Sequence, residues 1–346
     1  MLAPGDRALV ADYDVALLDL DGVVYTGQGA VPGAVAALGR ARELGMRLAF
    51  VTNNASRSPS SVAAHLTRLG VPATADDVVT SAQAAATLIA GRFPVGSPVL
   101  VAGAMGLRLA LRARGLRPVS MATDHPVAVV QGYAPDLSYG LLAEAAMAVR
   151  DGALFVAANT DRTLPSPRGL APGNGSLVQV ITTATGVQPI VAGKPEPPLH
   201  DEAVARTGAK RPLVVGDRLD TDIEGAFRGG ADSLMVLTGV STPRELVLAP
   251  PPQRPTYVSA DLAGLLEPQP RLGQSQRGQP QPSQPAVATA RCGDWTAHRL
   301  AGQPIELTGN GDPIDGLRAL CAISWSGEQV SDGIVDAALH VLKGAF

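Results

Sequence analysis

The chain has 346 residues, 46% of them hydrophobic, only 3% aromatic, and a formal net charge of −3. That length provides for two or three domains with a sizeable core. The charge leaves no basic footprint for nucleic acid, and no apolar run reaches the length of a membrane span. With two cysteines, Cys292 and Cys321, a multi-bridge disulfide framework is excluded and buried thiols are expected. The N-terminus carries Asp6, Arg7 and Asp12 and has no signal-peptide core, so a soluble cytoplasmic protein is the expectation.

Val15 to Leu18 form an apolar run that reads as a short buried parallel strand ending in Asp19 and Asp21. Residues two apart on a strand point the same way, so both carboxylates can face one site, and Gly22 lets the chain turn away. A helix is predicted over 34–44, with Pro32 suited to its first turn and Gly45 to its C-cap. A second strand, 46–51, runs into Thr52-Asn53-Asn54. Ser58-Pro59 starts a helix that reaches about Leu69. This alternation implies a parallel sheet with crossover helices.

A second α/β pattern follows, with helices at 81–92, 107–114, 139–150 and 176–184 and strands at 99–102, 127–131 and 154–157. The Pro- and Gly-rich stretch 162–175 is too long to be mere connection. The first pattern then resumes. Gly193-Lys194-Pro195-Glu196-Pro197 precedes a helix to about Thr207. A strand at 212–215 ends in Gly216-Asp217-Arg218-Leu219-Asp220-Thr221-Asp222 and leads into a helix to Arg228. A strand at 233–237 and a helix near 261–266 follow. Residues 267–285 are rich in Gln and Pro and read as a linker. In the tail, Asp312-Pro313 reads as N-cap and N1 of a helix through Trp325, and Asp332 as the cap of a helix to Leu342. Trp295 and Trp325 are expected in the core of this module, which is small enough to need docking for stability.

Asp19/Asp21, Thr52, Lys194 and Asp217/Asp222 each lie at a strand end or a helix start. Taken singly, each is better read as a turn, a cap or a solvated charge. Their order and their common position at strand ends single them out, because ligands of open α/β sheets bind at that rim. Together, DLDGVVY at 19–25, VTNN at 51–54, GKPEP at 193–197 and GDRLDTDI at 216–223 resemble the haloacid dehalogenase superfamily of phosphatases, in the subgroup with a large α/β cap between the second and third motifs.

The resemblance covers roughly residues 10 to 266. It implies a Rossmann-like parallel-sheet core (1–77 and 191–266), an inserted α/β cap (78–190), the linker (267–285) and a small C-terminal α+β module (286–346) similar to part of an acetyltransferase fold. That module carries no Gly-rich pyrophosphate loop, so a docked stabilising or oligomerising role is favoured over acyl-CoA binding.

By the same resemblance, Asp19 is the nucleophile and a Mg²⁺ ligand. Asp21 is the general acid–base and gives its carbonyl to the metal. Asp217 is a further ligand, with Asp222 behind it. Thr52, Asn53, Asn54 and Lys194 bind the phosphoryl group or substrate. The implied activity is Mg²⁺-dependent hydrolysis of a small metabolite phosphate through an aspartyl-phosphate, with glycerol 3-phosphate favoured. Sugar or nucleotide phosphates and phosphoglycolate are alternatives, and a non-catalytic phosphate sensor is the alternative of another class. Pyridoxal phosphatases carry a histidine where Leu164 falls, which disfavours that substrate. Asn53, Asn54, Asn159, Asp161 and 162–165 are candidate selectors; Asn159-Thr160-Asp161 suits a plain turn equally. His65 and His200 have no metal-ligand spacing. The expected partner is a small phosphorylated metabolite, without nucleic acid or a membrane span, and a homo-oligomer is possible.

Overall fold

A computed structural model describes residues 2–166, 168–273, 287–300, 303–326 and 332–342. It divides into two compact units, one formed by Met1–Leu48 with Ala209–Phe346, the other by Ala49–Gly208.

In the first unit the strand Val15–Leu18 pairs in parallel with Pro212–Gly216, which pairs with Asp232–Val236, and that with Tyr257–Ser259. All four residues of Val15–Leu18 are buried, as a strand covered on both faces requires. The helix Ala34–Glu43 starts where predicted and ends one residue earlier, and Pro32 lies ahead of its N-cap rather than in its first turn. Its N-cap is Gly33 at φ +78°, a conformation open to glycine. After Pro212–Gly216 the chain makes one wide π-type turn, Leu219–Ile223, before the helix Glu224–Arg228. Such turns are frequent at functional sites. Residues 261–266 form a short 3₁₀ turn, Leu262–Leu265, rather than a full helix.

Pro268–Gln269, at the start of the expected linker, pairs antiparallel with Gly5–Ala8. Residues 274–285 of that stretch lie outside the described residues. The C-terminal module holds an antiparallel sheet of Val287–Cys292, Trp295–Leu300 and Glu306–Thr308, together with the helices Pro313–Trp325 and Asp332–Val341. Asp312 caps the first of these helices, accepting the Ile314 N–H at 3.0 Å. Trp295 and Trp325 are 6% and 7% exposed and belong to an apolar cluster that also contains Met235, Leu246, Val247 and Val258 of the parallel-sheet region. The module therefore continues the same core instead of enclosing a separate one.

In the second unit the end of Arg47–Thr52 pairs in parallel with Val78–Thr80. A five-stranded parallel sheet is built in the order Ile190–Val191, Leu154–Ala157, Ala128–Gln131, Pro98–Ala102, Arg117–Val119. Leu100, Val129, Phe155 and Ile181 fill the core beside it. Ser58 caps the helix Pro59–Arg68, as its position before proline predicts, by accepting the Ser61 N–H. The 162–175 stretch contains a hairpin, Thr163–Ser166 with Gly169–Pro172, which its prolines conceal from a sequence reading. Glu202, buried, is held by Arg114, Arg206 and Thr87. Among the described residues no helix is long and apolar enough to cross a membrane.

Candidate active site

The Val15–Leu18 strand delivers Asp19 to its carboxyl end, where the Asp19 N–H donates to the Val215 carbonyl at 2.9 Å. The adjacent strand Pro212–Gly216 delivers Asp217, and the wide turn after it brings Asp222 back. Asp19, Asp217 and Asp222 place carboxylate oxygens within 4.8 Å of one another, with Asp217 and Asp222 buried. Three like charges this close repel by on the order of 3 kcal/mol per pair at an effective dielectric near 20. A hard divalent cation relieves that repulsion, and an all-oxygen donor set is what Mg²⁺ prefers. The residues present fit such an ion.

Asp217 is aimed by its surroundings. The Val240 N–H donates to Oδ2 at 2.7 Å and the Ser241 N–H to the Asp217 carbonyl at 3.1 Å. A Cβ at Gly22 would lie 2.5 Å from Asp217 Oδ2, and one at Gly239 would overlap the same carboxylate. Gly22 also has φ +84° and accepts the Thr238 hydroxyl at its carbonyl. Asp222 Oδ2 accepts the Arg218 N–H at 3.2 Å, closing the wide turn. Asp21 is exposed and bridges to Tyr25.

The second unit gathers the other expected residues. Thr52 is buried, and its Oγ1 accepts the Asn54 N–H at 3.1 Å. Asn54 is exposed, its Oδ1 accepting from the Ser56 N–H and hydroxyl. Asn53 holds Lys194: its Oδ1 accepts the Lys194 N–H at 2.7 Å, and its Nδ2 donates to the Lys194 carbonyl at 3.1 Å. The same Nδ2 reaches Asp161 Oδ2 at 3.3 Å. The Asn53 carbonyl accepts from Ser81 Oγ and Asn159 Nδ2. The Lys194 ammonium donates to the Val51 carbonyl at 3.2 Å.

Sequence reasoning missed the Gly239–Ser241 backbone that aims Asp217, and also Ser81 and Asn174, whose Nδ2 donates to the Asn159 carbonyl. Gly239–Ser241 lie in a loop and Ser81 and Asn174 open helices, positions where small and polar residues are ordinary and mark no site.

Comparison with known proteins bears on this arrangement. Residues 16–117 match the haloacid dehalogenase-like hydrolase family, 191–265 a HAD-hydrolase-like family, and 292–343 a GCN5-related N-acetyltransferase like domain. The chain is 54% identical over 259 residues to D-glycerol 3-phosphate phosphatase of Mycobacterium tuberculosis, covering 75% of this chain and 72% of that one. It is 38% identical over 253 residues to an acid sugar phosphatase of Staphylococcus saprophyticus, covering 72% and 96%. A crystal structure of glycerol phosphate phosphatase from Mycobacterium tuberculosis in complex with magnesium superposes with a TM-score of 0.85 at 45% identity, covering 97% of this chain and 99% of that one. The acidic cluster at the parallel strand ends and these likenesses agree, and the chain belongs to the haloacid dehalogenase-like hydrolases.

Proposed function

We propose that this phosphatase hydrolyses glycerol 3-phosphate with Mg²⁺, through an aspartyl-phosphate on Asp19. The observation that carries the reading is the convergence of Asp19, Asp217 and Asp222 within 4.8 Å. The substrate is favoured by the 54% identity to a D-glycerol 3-phosphate phosphatase, against 38% to sugar-phosphate and nucleotide enzymes. The magnesium-bound relative supports the choice of metal.

Bound Mg²⁺ would supply positive charge that lets an anionic carboxylate approach a phosphate dianion. Asp19, Asp217 and the Asp21 carbonyl would hold it, with Asp222 closing the acidic turn behind. Asp19 attacks phosphorus, so that an Asp19 O–P bond forms as the ester P–O bond breaks. Asp21 gives a proton to the departing alkoxide. It then takes one from the water that attacks phosphorus, which releases phosphate and restores the Asp19 carboxylate. The exposure of Asp21 suits a group that must trade protons with substrate and water. Thr52 and nearby N–H groups hold phosphoryl oxygens, and Lys194 balances their charge. Asn53 serves by fixing Lys194, and Asn54 is kept as a substrate contact. Residues 78–190 act as the cap that excludes water and selects the leaving group. The working partner is a small soluble ester in the cytoplasm, not nucleic acid.

The test is a panel of glycerol 3-phosphate, phosphoglycolate, sugar phosphates and nucleotides. A kcat/KM at least about tenfold higher for glycerol 3-phosphate is expected, abolished by EDTA. Equal values across the panel would mark a broad phosphatase. Absence of phosphate release from every ester would leave only a ligand sensor.

A further inference from the structure

Asp217 is steadied by a neighbouring loop. Val240 and Ser241 donate to it, and Ser241 Oγ also accepts the Leu219 N–H at 3.1 Å. The loop runs directly into the helix Pro243–Val247, whose start is fixed by a reciprocal Thr242–Glu245 cap. The far end of that short helix is gripped by the C-terminal module. The Trp325 indole N–H donates to the Val247 carbonyl at 3.2 Å in a buried setting. The Arg254 guanidinium lies over the Trp325 ring, 5.4 Å from its centre, and donates to the Trp325 carbonyl at 3.4 Å. Leu246 and Val247 share one apolar cluster with Leu219 and Ile223 of the acidic turn and with Leu317, Leu320 and Trp325 of the module. Arg318, buried, adds a donor to the Val258 carbonyl and another to Gln269.

We infer that the C-terminal module is a positioning device for the metal site: through Trp325 and the Pro243–Val247 helix it fixes the loop that aims Asp217. The inference rests on the Mg²⁺ reading given above. A metal ligand tolerates little displacement, and removal of the groups that orient it commonly costs about tenfold or more in metal affinity. Trp325 is two steps from the carboxylate, so a smaller factor is expected.

The test uses the full chain and Mg²⁺ alone. Calorimetry and the Mg²⁺-induced rise in Tm are measured for the wild type, Trp325→Ala and Trp325→Phe. Trp325→Ala is expected to weaken Mg²⁺ binding by about fivefold and to raise the Mg²⁺ needed for half-maximal turnover equally. KM for the ester at saturating Mg²⁺ should be unchanged. Trp325→Phe keeps an aromatic ring while losing the N–H donor, so it keeps the test open if Trp325→Ala fails to fold, and it should show a smaller shift in the same direction. Phe155→Leu, in the core of the other unit, should lower Tm without moving Mg²⁺ affinity. Trp325 variants that lose Tm yet bind Mg²⁺ like the wild type would overturn the inference and leave the hydrolase reading standing. A wild type that binds no Mg²⁺ would overturn both.

Discussion

Asn53 grips the main chain of Lys194 from both sides, its amide oxygen on the N–H at 2.7 Å and its amide nitrogen on the carbonyl at 3.1 Å. Asp161, accepting from the same nitrogen at 3.3 Å, fixes which way round the amide sits. These bonds support the proposal that Asn53 orients the lysine. Asn53→Ala should therefore lower kcat by about tenfold or more, because small misplacements of a charge-stabilising group are expensive. Mg²⁺ affinity should not change. Steady-state kinetics with a Mg²⁺ titration checks this, and a raised KM with unchanged kcat would return Asn53 to direct substrate binding.

Gly239 leaves no room for a side chain, since a Cβ there would meet the Asp217 carboxylate. Gly239→Ala should displace that carboxylate and cost about 1–3 kcal/mol of stability from overpacking. Its signature is loss of the Mg²⁺-induced rise in Tm, beyond the fall in Tm of the metal-free protein. A variant with a normal Mg²⁺ response would show that the site is looser than this packing implies.

The two thiols should be silent in the native protein. Burial raises Cys292 to about 12, with Asp315 beside it pushing the same way, and burial also raises the fully enclosed Cys321. Both stay protonated at pH 8, where a thiolate is needed for reaction with a disulfide reagent. No thiol should titrate before unfolding and both should titrate afterwards. Rapid labelling of the folded chain would contradict this.

Asp14 joins two segments distant in sequence by accepting the Lys210 and Arg211 N–H groups at 2.8 and 3.0 Å. Burial opposes its charge, but these N–H donors and Arg47 outweigh that and hold its carboxyl below the usual value of 3.8. A lowered carboxyl pKa stabilises the fold above the unfolded value, and that contribution is lost as pH falls through the folded one. Asp14→Ala should cost about 1 kcal/mol near neutrality. The difference from wild type should shrink below about pH 4, as denaturant melts at several pH values would reveal.

The parallel strands and the motif carboxylates were legible because short apolar runs ending in Asp or Thr carry a strong local pattern. The Tyr139–Arg150 helix and the Leu154–Ala157 strand have the bounds that pattern implies. The Thr163–Ser166 hairpin was hidden by prolines that count against a strand yet are tolerated at an unshared edge. The wide turn at Leu219–Ile223 falls in a stretch the sequence shows only as the end of a strand before a helix, and nothing in its residue types announces a π-type turn that brings Asp222 beside Asp217. The Val240 and Ser241 donors are backbone groups, and no residue type marks them in advance. Asn53 stood out within the VTNN motif, but its hold on Lys194 depends on a partner 141 positions away that no local pattern reveals.

Asp19, as the proposed nucleophile, should carry the phosphoryl group during turnover. The most direct measurement is an acid quench of a single turnover with radiolabelled glycerol 3-phosphate, followed by peptide mapping. Transient, base-labile label is expected on the peptide containing Asp19, with neither label nor turnover in Asp19→Asn. Label on another residue, or turnover that survives in Asp19→Asn, would contradict it.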